Sequence, residues 1–199
     1  MISGPMKNLN RLLSSMLMLV CLAPVSPAAQ DTLAILMASL AHRDNREAFF
    51  IEERHASYLN SALTTQGRLK AVLPDRLEKI IVSPEPMTQV ITGNRLIQSR
   101  HGVIQKEISL DRVPALSVTI NTLRAVVFGN LNYLKKTFTA EYQTQGQNWS
   151  LQLIPLNEKL KAQISSIKVL GKQDKISEFL VTDVNGDFSK TRLYEHENK

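Results

Sequence analysis

The stretch GRLKAVLPDRLEKIIVS, from Gly67 to Ser83, leaves the chain little freedom in how it folds. Gly67, Leu69, Ala71 and Leu73 fall on one side of an extended backbone, and Arg68 and Lys70 on the other. That alternation marks a strand with one apolar and one wet face. Pro74-Asp75 ends the pairing and turns the chain, because proline has no N–H to give to a ladder. Arg76 to Ser83 then resume, with Ile80, Ile81 and Val82 as apolar content. Two-sided strands of this kind recur through most of the chain, so the question it poses is what their apolar face covers.

The elements around this corner are legible in order. Asp31-Thr32 can cap a short amphipathic helix in which Leu33, Leu36, Met37 and Leu40 share a face. Glu47 to Tyr58 follows as a strand, and 59–66 as a polar connection. Ser83-Pro84-Glu85-Pro86 is a stiff turn, Thr92-Gly93-Asn94 a hairpin, and His101-Gly102 a further turn before VIQKEISL. Pro114 opens a helix with Leu116, Ile120, Leu123 and Val127 at helical spacing, Gly129 closes it, and 131–136 form another short helix. Strands return at TFTAEYQTQ, with Phe138, Ala140 and Tyr142 on one face, and at NWSLQLIPL, which groups Trp149, Leu151 and Leu153. AQISSIKVLGK, KISEFLVTDV and DFSKTRLYE complete the set, the last two joined at Asn185-Gly186. The fold class is α+β, mostly antiparallel sheet with a few short helices.

The first 28 residues read as a signal peptide. Lys7 and Arg11 form a positive start, 12–22 an apolar run too short for a comfortable membrane span, and Ser26-Pro27-Ala28 a small-residue cleavage site. Cleavage after Ala28 leaves 29–199 as a single mature domain in the periplasm. Cys21 lacks the small preceding residue that lipidation needs, so the mature chain carries no cysteine and no thiolate chemistry. Removing Lys7 and Arg11 from 24 basic against 18 acidic residues leaves a net charge of +4. Those charges are dispersed, and nucleic acid is not an expected partner.

No catalytic constellation emerges, and the reading is of a protein that is not an enzyme. His42, His55, His101 and His196 stand alone, without the spacing that metals require. There is no GxSxG elbow, no SxxK and no phosphate-cradling glycine loop. Asp183-x-Asn185-Gly186-Asp187 is better read as a turn than as a calcium loop, since the later bidentate Glu is missing. No metal and no cofactor is expected. A hydrolase acting on acyl chains would need a nucleophile with a base, and no such Ser-His pairing is visible. One polar pair stands out: Glu52 and Arg54 alternate in phase with Phe50, Ala56 and Tyr58. If that face is interior the two charges would need each other; otherwise Phe49 and Ile51 face inward.

Taken in order, the leader, helix and strand, G-x-L-x-x-x-x-P from Gly67 to Pro74, the Gly93-Asn94 hairpin and the central helix ending at Gly129 form a pattern. It is completed by W-x-L-x-L-x-P from Trp149 to Pro155 and a final Asn-Gly hairpin. This order resembles the outer-membrane lipoprotein carrier protein family, LolA, over nearly all of the mature chain. Phe50-x-Glu52-x-Arg54 looks more like a LolA-related branch associated with lipid or polyene export loci than like the housekeeping carrier. The resemblance implies an incomplete antiparallel β-barrel (a half-barrel) with short helices forming a lid over an apolar cavity. It implies a carrier that shields an acylated ligand, lipoprotein or lipid-like, on its way to the outer membrane. Its partners would be that ligand, an inner-membrane transporter and an outer-membrane acceptor, and the carrier itself would be a monomer. A sensor module of the same fold, binding lipid or peptide, is the alternative.

On this resemblance the ligand-binding candidates are Phe50, Arg54, Leu69, Ala71, Leu73, Leu116, Ile120, Phe138, Tyr142, Trp149 and Leu151, with Leu36, Leu40 and Leu123 as further lid residues. A soluble shuttle needs such a lining, since each CH₂ kept from water is worth about 0.8 kcal/mol. One departure is plain. The family's carrier has an arginine just before the strand-ending proline, tying barrel to lid; Leu73 stands there. The latch must therefore be different, and Arg54 with Glu52 is the candidate for the polar role inside the cavity.

Overall fold

The computed structural model describes residues 27–44 and 46–195. The proposed leader therefore falls almost wholly outside the described residues. The chain opens with α1 (Pro27–Ala41) and lays down β1 (Glu47–His55), β2 (Leu63–Val72), β3 (Arg76–Ser83), β4 (Met87–Thr92), β5 (Arg95–Arg100) and β6 (Val103–Ser109). A 3₁₀ turn (Leu110–Arg112) leads into α2 (Pro114–Val127) and α3 (Leu131–Thr137). β7 (Phe138–Gln145), β8 (Asn148–Pro155), α4 (Glu158–Lys161), β9 (Ile164–Lys172), β10 (Lys175–Asp183) and β11 (Phe188–Tyr194) complete it. Three local readings change. Asp31 and Thr32 lie inside α1 and not at its start, the strand read as running to Tyr58 ends at His55, and the stretch read as a connection at 59–66 gives its second half to β2.

All eleven strands belong to one antiparallel sheet, in the order β6-β5-β4-β3-β2-β1-β11-β10-β9-β8-β7. The topology is two meanders joined at a seam. From β1 the chain steps outward by hairpins to β6, crosses through α2 and α3 to the far edge at β7, and steps back until β11 pairs with β1. β6 and β7 remain unjoined, so the sheet is an open, incomplete barrel whose inner face is covered by helices. Two strand-to-strand turns come from the expected hairpin signals, with Gly93 and Gly186 in left-handed conformation.

The strand alternation assigns the inner face. Gly67, Leu77 and Ile81 are buried on β2 and β3, and in phase with them Ile91 and Leu96 are buried on β4 and β5. Gly67 is required by closeness of backbones, since a Cβ there would lie 1.9 Å from the Ile80 carbonyl oxygen. At the opposite end of the sheet, Trp149, Leu151 and Leu153 of β8 and Ile167 and Val169 of β9 are buried. They pack against Leu33, Leu36, Met37 and Leu40 of α1, with Ala125 and Val126 of α2 and Leu134 of α3. Gly129 makes the corner between α2 and α3. Its φ of +72° suits glycine, and a Cβ would meet the Met37 carbonyl oxygen at 2.4 Å, so α1 can lie close against the corner.

Candidate functional site

Under α2 the sheet is not filled. A chamber of about 470 Å³ lies between Leu116, Thr119, Ile120 and Leu123 of the helix and the inner face of β1–β6, β10 and β11. α2 serves two surfaces at once, turning Leu116 and Ile120 to the chamber and Ala125 and Val126 to the packed core. The chamber's apolar lining comes from Leu69, Leu77, Ile91, Leu96, Ile108, Phe179, Val181 and Leu193. Between them the same inward phase carries polar residues: Glu52, Arg54, Lys79, Gln89, Gln98, Ser189 and Thr191. A volume of this size with a mixed but mainly apolar lining is typical of a small-molecule or acyl-chain site.

The question of which face of β1 looks inward is settled by register. Phe50 pairs with Leu193, Glu52 with Thr191 and Arg54 with Ser189, and apart from Phe50 these all line the chamber. The expected Glu52–Arg54 pair does not form. Residues two apart on a strand point the same way but lie side by side, and Glu52 has better-placed partners. Its Oε2 accepts from Lys79 Nζ at 2.9 Å and from Thr191 Oγ1 at 2.9 Å. Lys79 in turn sits 4.8 Å from the centroid of the Phe50 ring, a favourable position for a cation over an aromatic face. Arg54 is exposed and has no hydrogen-bond or ion-pair partner among the described residues. Glu53 and Arg192 pair on the opposite face of the sheet.

The lid is held at one corner by charge. Arg124 of α2 donates from Nη1 to the Gly93 carbonyl oxygen at 2.7 Å, in the turn between β4 and β5. The Gly93 N–H donates to Asp75 Oδ2 at 2.8 Å, in the turn between β2 and β3, and Asp75 lies 3.8 Å from Arg124 Nη2. Helix, hairpin and corner thus meet in one cluster. Burial pulls the Arg124 guanidinium below its ordinary pKa, while Asp75 opposes that shift. In this cluster the arginine comes from the helix and the carboxylate from the turn that follows Pro74.

Of the candidate residues, Arg54, Leu69, Leu116 and Ile120 line the chamber. Phe50 is buried beneath Lys79, and Ala71 lines a smaller neighbouring cavity of about 90 Å³ together with Leu40, Leu69 and Leu123. The others lie elsewhere. Leu73 is 62% exposed, because Pro74 has already turned the chain away from the inner face. Phe138, Trp149 and Leu151 are in the packed core, where α1 fills the space above them, and Tyr142 lies at its margin, its phenol pKa raised by burial. Leu36 belongs to that core too, so α1 packs the sheet where α2 roofs it. Sequence reasoning passed over Lys79, Gln89, Gln98, Ser189 and Arg124. The available signal was polar side chains standing in phase with buried apolar ones.

The order of elements, the open sheet and the roofed chamber agree with the family whose model, described as outer membrane lipoprotein carrier protein LolA-like, matches residues 24–197. The chain belongs to that family. Among proteins with curated descriptions none matches it. In structure it is similar to a chain of the Pseudomonas aeruginosa MucA/MucB complex, at 11% identity and a TM-score of 0.48, covering 82% of this chain and 56% of that one. A LolA superfamily protein from Nitrosomonas europaea is similar at 8% identity and a TM-score of 0.42, covering 86% and 94%. LprF from Mycobacterium bovis is similar at 8% identity and a TM-score of 0.38, covering 84% and 92%. This LolA-like chain spans just over half the length of the first of these. Among the described residues no helix is long and apolar enough to cross a membrane.

Proposed function

We propose that this LolA-like protein is a periplasmic, non-enzymatic carrier that takes an acylated ligand, lipoprotein or lipid-like, into the chamber and shields it on the way to the outer membrane. Residues 1–28 are the signal peptide that exports it, and 29–199 form one carrier domain working as a monomer. An inner-membrane transporter loads it and an outer-membrane acceptor relieves it. The observation that carries this reading is the chamber itself: a helix with Leu116, Ile120 and Leu123 facing an apolar floor across about 470 Å³. A protein with no cargo would gain by collapsing that space, since lining atoms without neighbours forfeit dispersion contacts. The roof is tied to the sheet at one corner by a small polar cluster and is seated on the cores through Ile120, Ala125 and Val126. A movement that frees the chamber must therefore release the corner while keeping part of that packing.

The test is mass spectrometry of what co-purifies with the mature protein from its native compartment, run beside Leu69→Glu. An acylated species enriched on the native chain and missing from a folded Leu69→Glu variant supports the carrier. An empty native chain that also refuses fluorescent acyl probes contradicts it.

A further inference from the structure

Four charged residues line the chamber: Glu52, Arg54, Glu78 and Lys79. Glu52 and Lys79 neutralise each other at 2.9 Å. Glu78 is held from outside the chamber by Arg76, at 2.7 Å. Beyond the lining, Arg124 of the roof is engaged with Asp75 and Gly93. Arg54 is left as a guanidinium without a partner among the described residues, exposed where the chamber meets water. Its cross-strand neighbour is Ser189, which also lines the chamber. We infer that the ligand is an amphiphile with an anionic head, a carboxylate or phosphate, that seats on Arg54 while an alkyl chain runs under α2. This rests on the carrier reading and names its ligand class.

Two properties of the site converge on this class. A planar guanidinium presents paired N–H donors that match carboxylate and phosphate oxygens, and such charge-assisted bonds are about twice as strong as neutral ones. Solvent at the rim spares the head full desolvation, while the apolar roof and floor take the chain. The second property is the extent of the chamber. Its volume of about 470 Å³ runs from Arg54 at its rim to Leu116 and Ile120 of α2, with a mainly apolar lining suited to an alkyl chain.

The experiment is equilibrium binding of palmitate, hexadecyl phosphate and hexadecanol to the mature protein, with Arg54→Met and Arg54→Lys alongside. For the native chain at least one anion should bind about 10- to 100-fold more tightly than hexadecanol, the effect of one or more hydrogen bonds to a charged group. Whichever anion leads identifies the head as carboxylate or phosphate. Arg54→Met should bring the anions down to the affinity that the same variant shows for hexadecanol, and Arg54→Lys should retain part of the preference. Equal binding of all three probes by the native chain, or a preference that survives Arg54→Met, overturns the inference while leaving the carrier reading standing. Refusal of hexadecanol as well as both anions overturns the carrier reading and this one with it.

Discussion

The two ends of one sheet have been put to opposite uses. On β7, β8 and β9 the inward positions hold Phe138, Trp149, Leu151, Leu153, Ile167 and Val169, and α1 and α3 pack over them. On β1, β3, β4, β5 and β11 the same inward phase alternates apolar residues with Glu52, Lys79, Gln89, Gln98, Ser189 and Thr191, and α2 touches down through Ile120 on Leu77, Ile91 and Leu96 while leaving a chamber beside them. Strand geometry and pairing are the same in both. What differs is whether the inner face can be packed dry. Six large apolar side chains can interlock with a helix at close-packed density. Lysine, glutamate and glutamine cannot be closed over without leaving polar atoms unsatisfied, so that half of the sheet keeps its space. The larger core lies in the first half; the second holds a smaller one of Leu77, Ile91, Leu96, Leu110 and Ile120, with the chamber beside it.

Several substitutions would break or sharpen that contrast. The largest effect is expected from Leu151→Ala in the packed half, where a fully buried side chain leaves a sealed hole; denaturant melts should show a loss of about 3 to 4 kcal/mol. Leu116→Ala in the roof removes the same atoms beside existing space, and the same melts should show about 1 kcal/mol. If the two losses were equal, the halves would not differ as described. Asp75→Asn weakens the Arg124 cluster. Because the ion pair is partly exposed, stability should change by less than about 1 kcal/mol, but stopped-flow release of an acyl probe should become faster. The smallest effect concerns Tyr133, whose phenol pKa is raised by burial and lowered less by its bonds to Thr122 and Thr137. A raised folded-state pKa means that stability is intact below about pH 10 and declines above it, as the unfolded chain ionises first. Tyr133→Phe should flatten that alkaline decline in a pH series of melts.

Much of this was legible because strand alternation is a local signal. The Pro74 corner, the Gly93-Asn94 and Asn185-Gly186 turns and the helix from Pro114 each depend on a few adjacent residues, and each appears where the sequence places it. Leu69, Leu116 and Ile120 stand at the chamber because their apolar phase points them inward, whereas the side taken by Arg54 was open in the sequence and is set by the register of β1 with β11. Trp149, Leu151 and Phe138 have the same phase. That they sit under α1 and not over open space depends on where the first helix lands, at the far end of the sheet from β6, and no local pattern carries that. Lys79 and Gln98 look like interruptions of an apolar face until register sets Lys79 near Glu52. The Asp75–Gly93–Arg124 cluster joins three segments distant in sequence, so it could not be read from any one of them.

The central claim is that the space under α2 is kept for a ligand, and Leu116→Trp tests it most directly. The larger ring adds volume at a wall of the chamber, where there is room for it, while Val169→Trp forces the same kind of ring into the packed half. Thermal unfolding and acyl-probe titration should be measured on both. The expected result is a Leu116→Trp protein that melts at or above the native temperature and no longer binds the probe, beside a strongly destabilised Val169→Trp. A Leu116→Trp protein that unfolds as readily as Val169→Trp, or that binds the probe with native affinity, would contradict the claim.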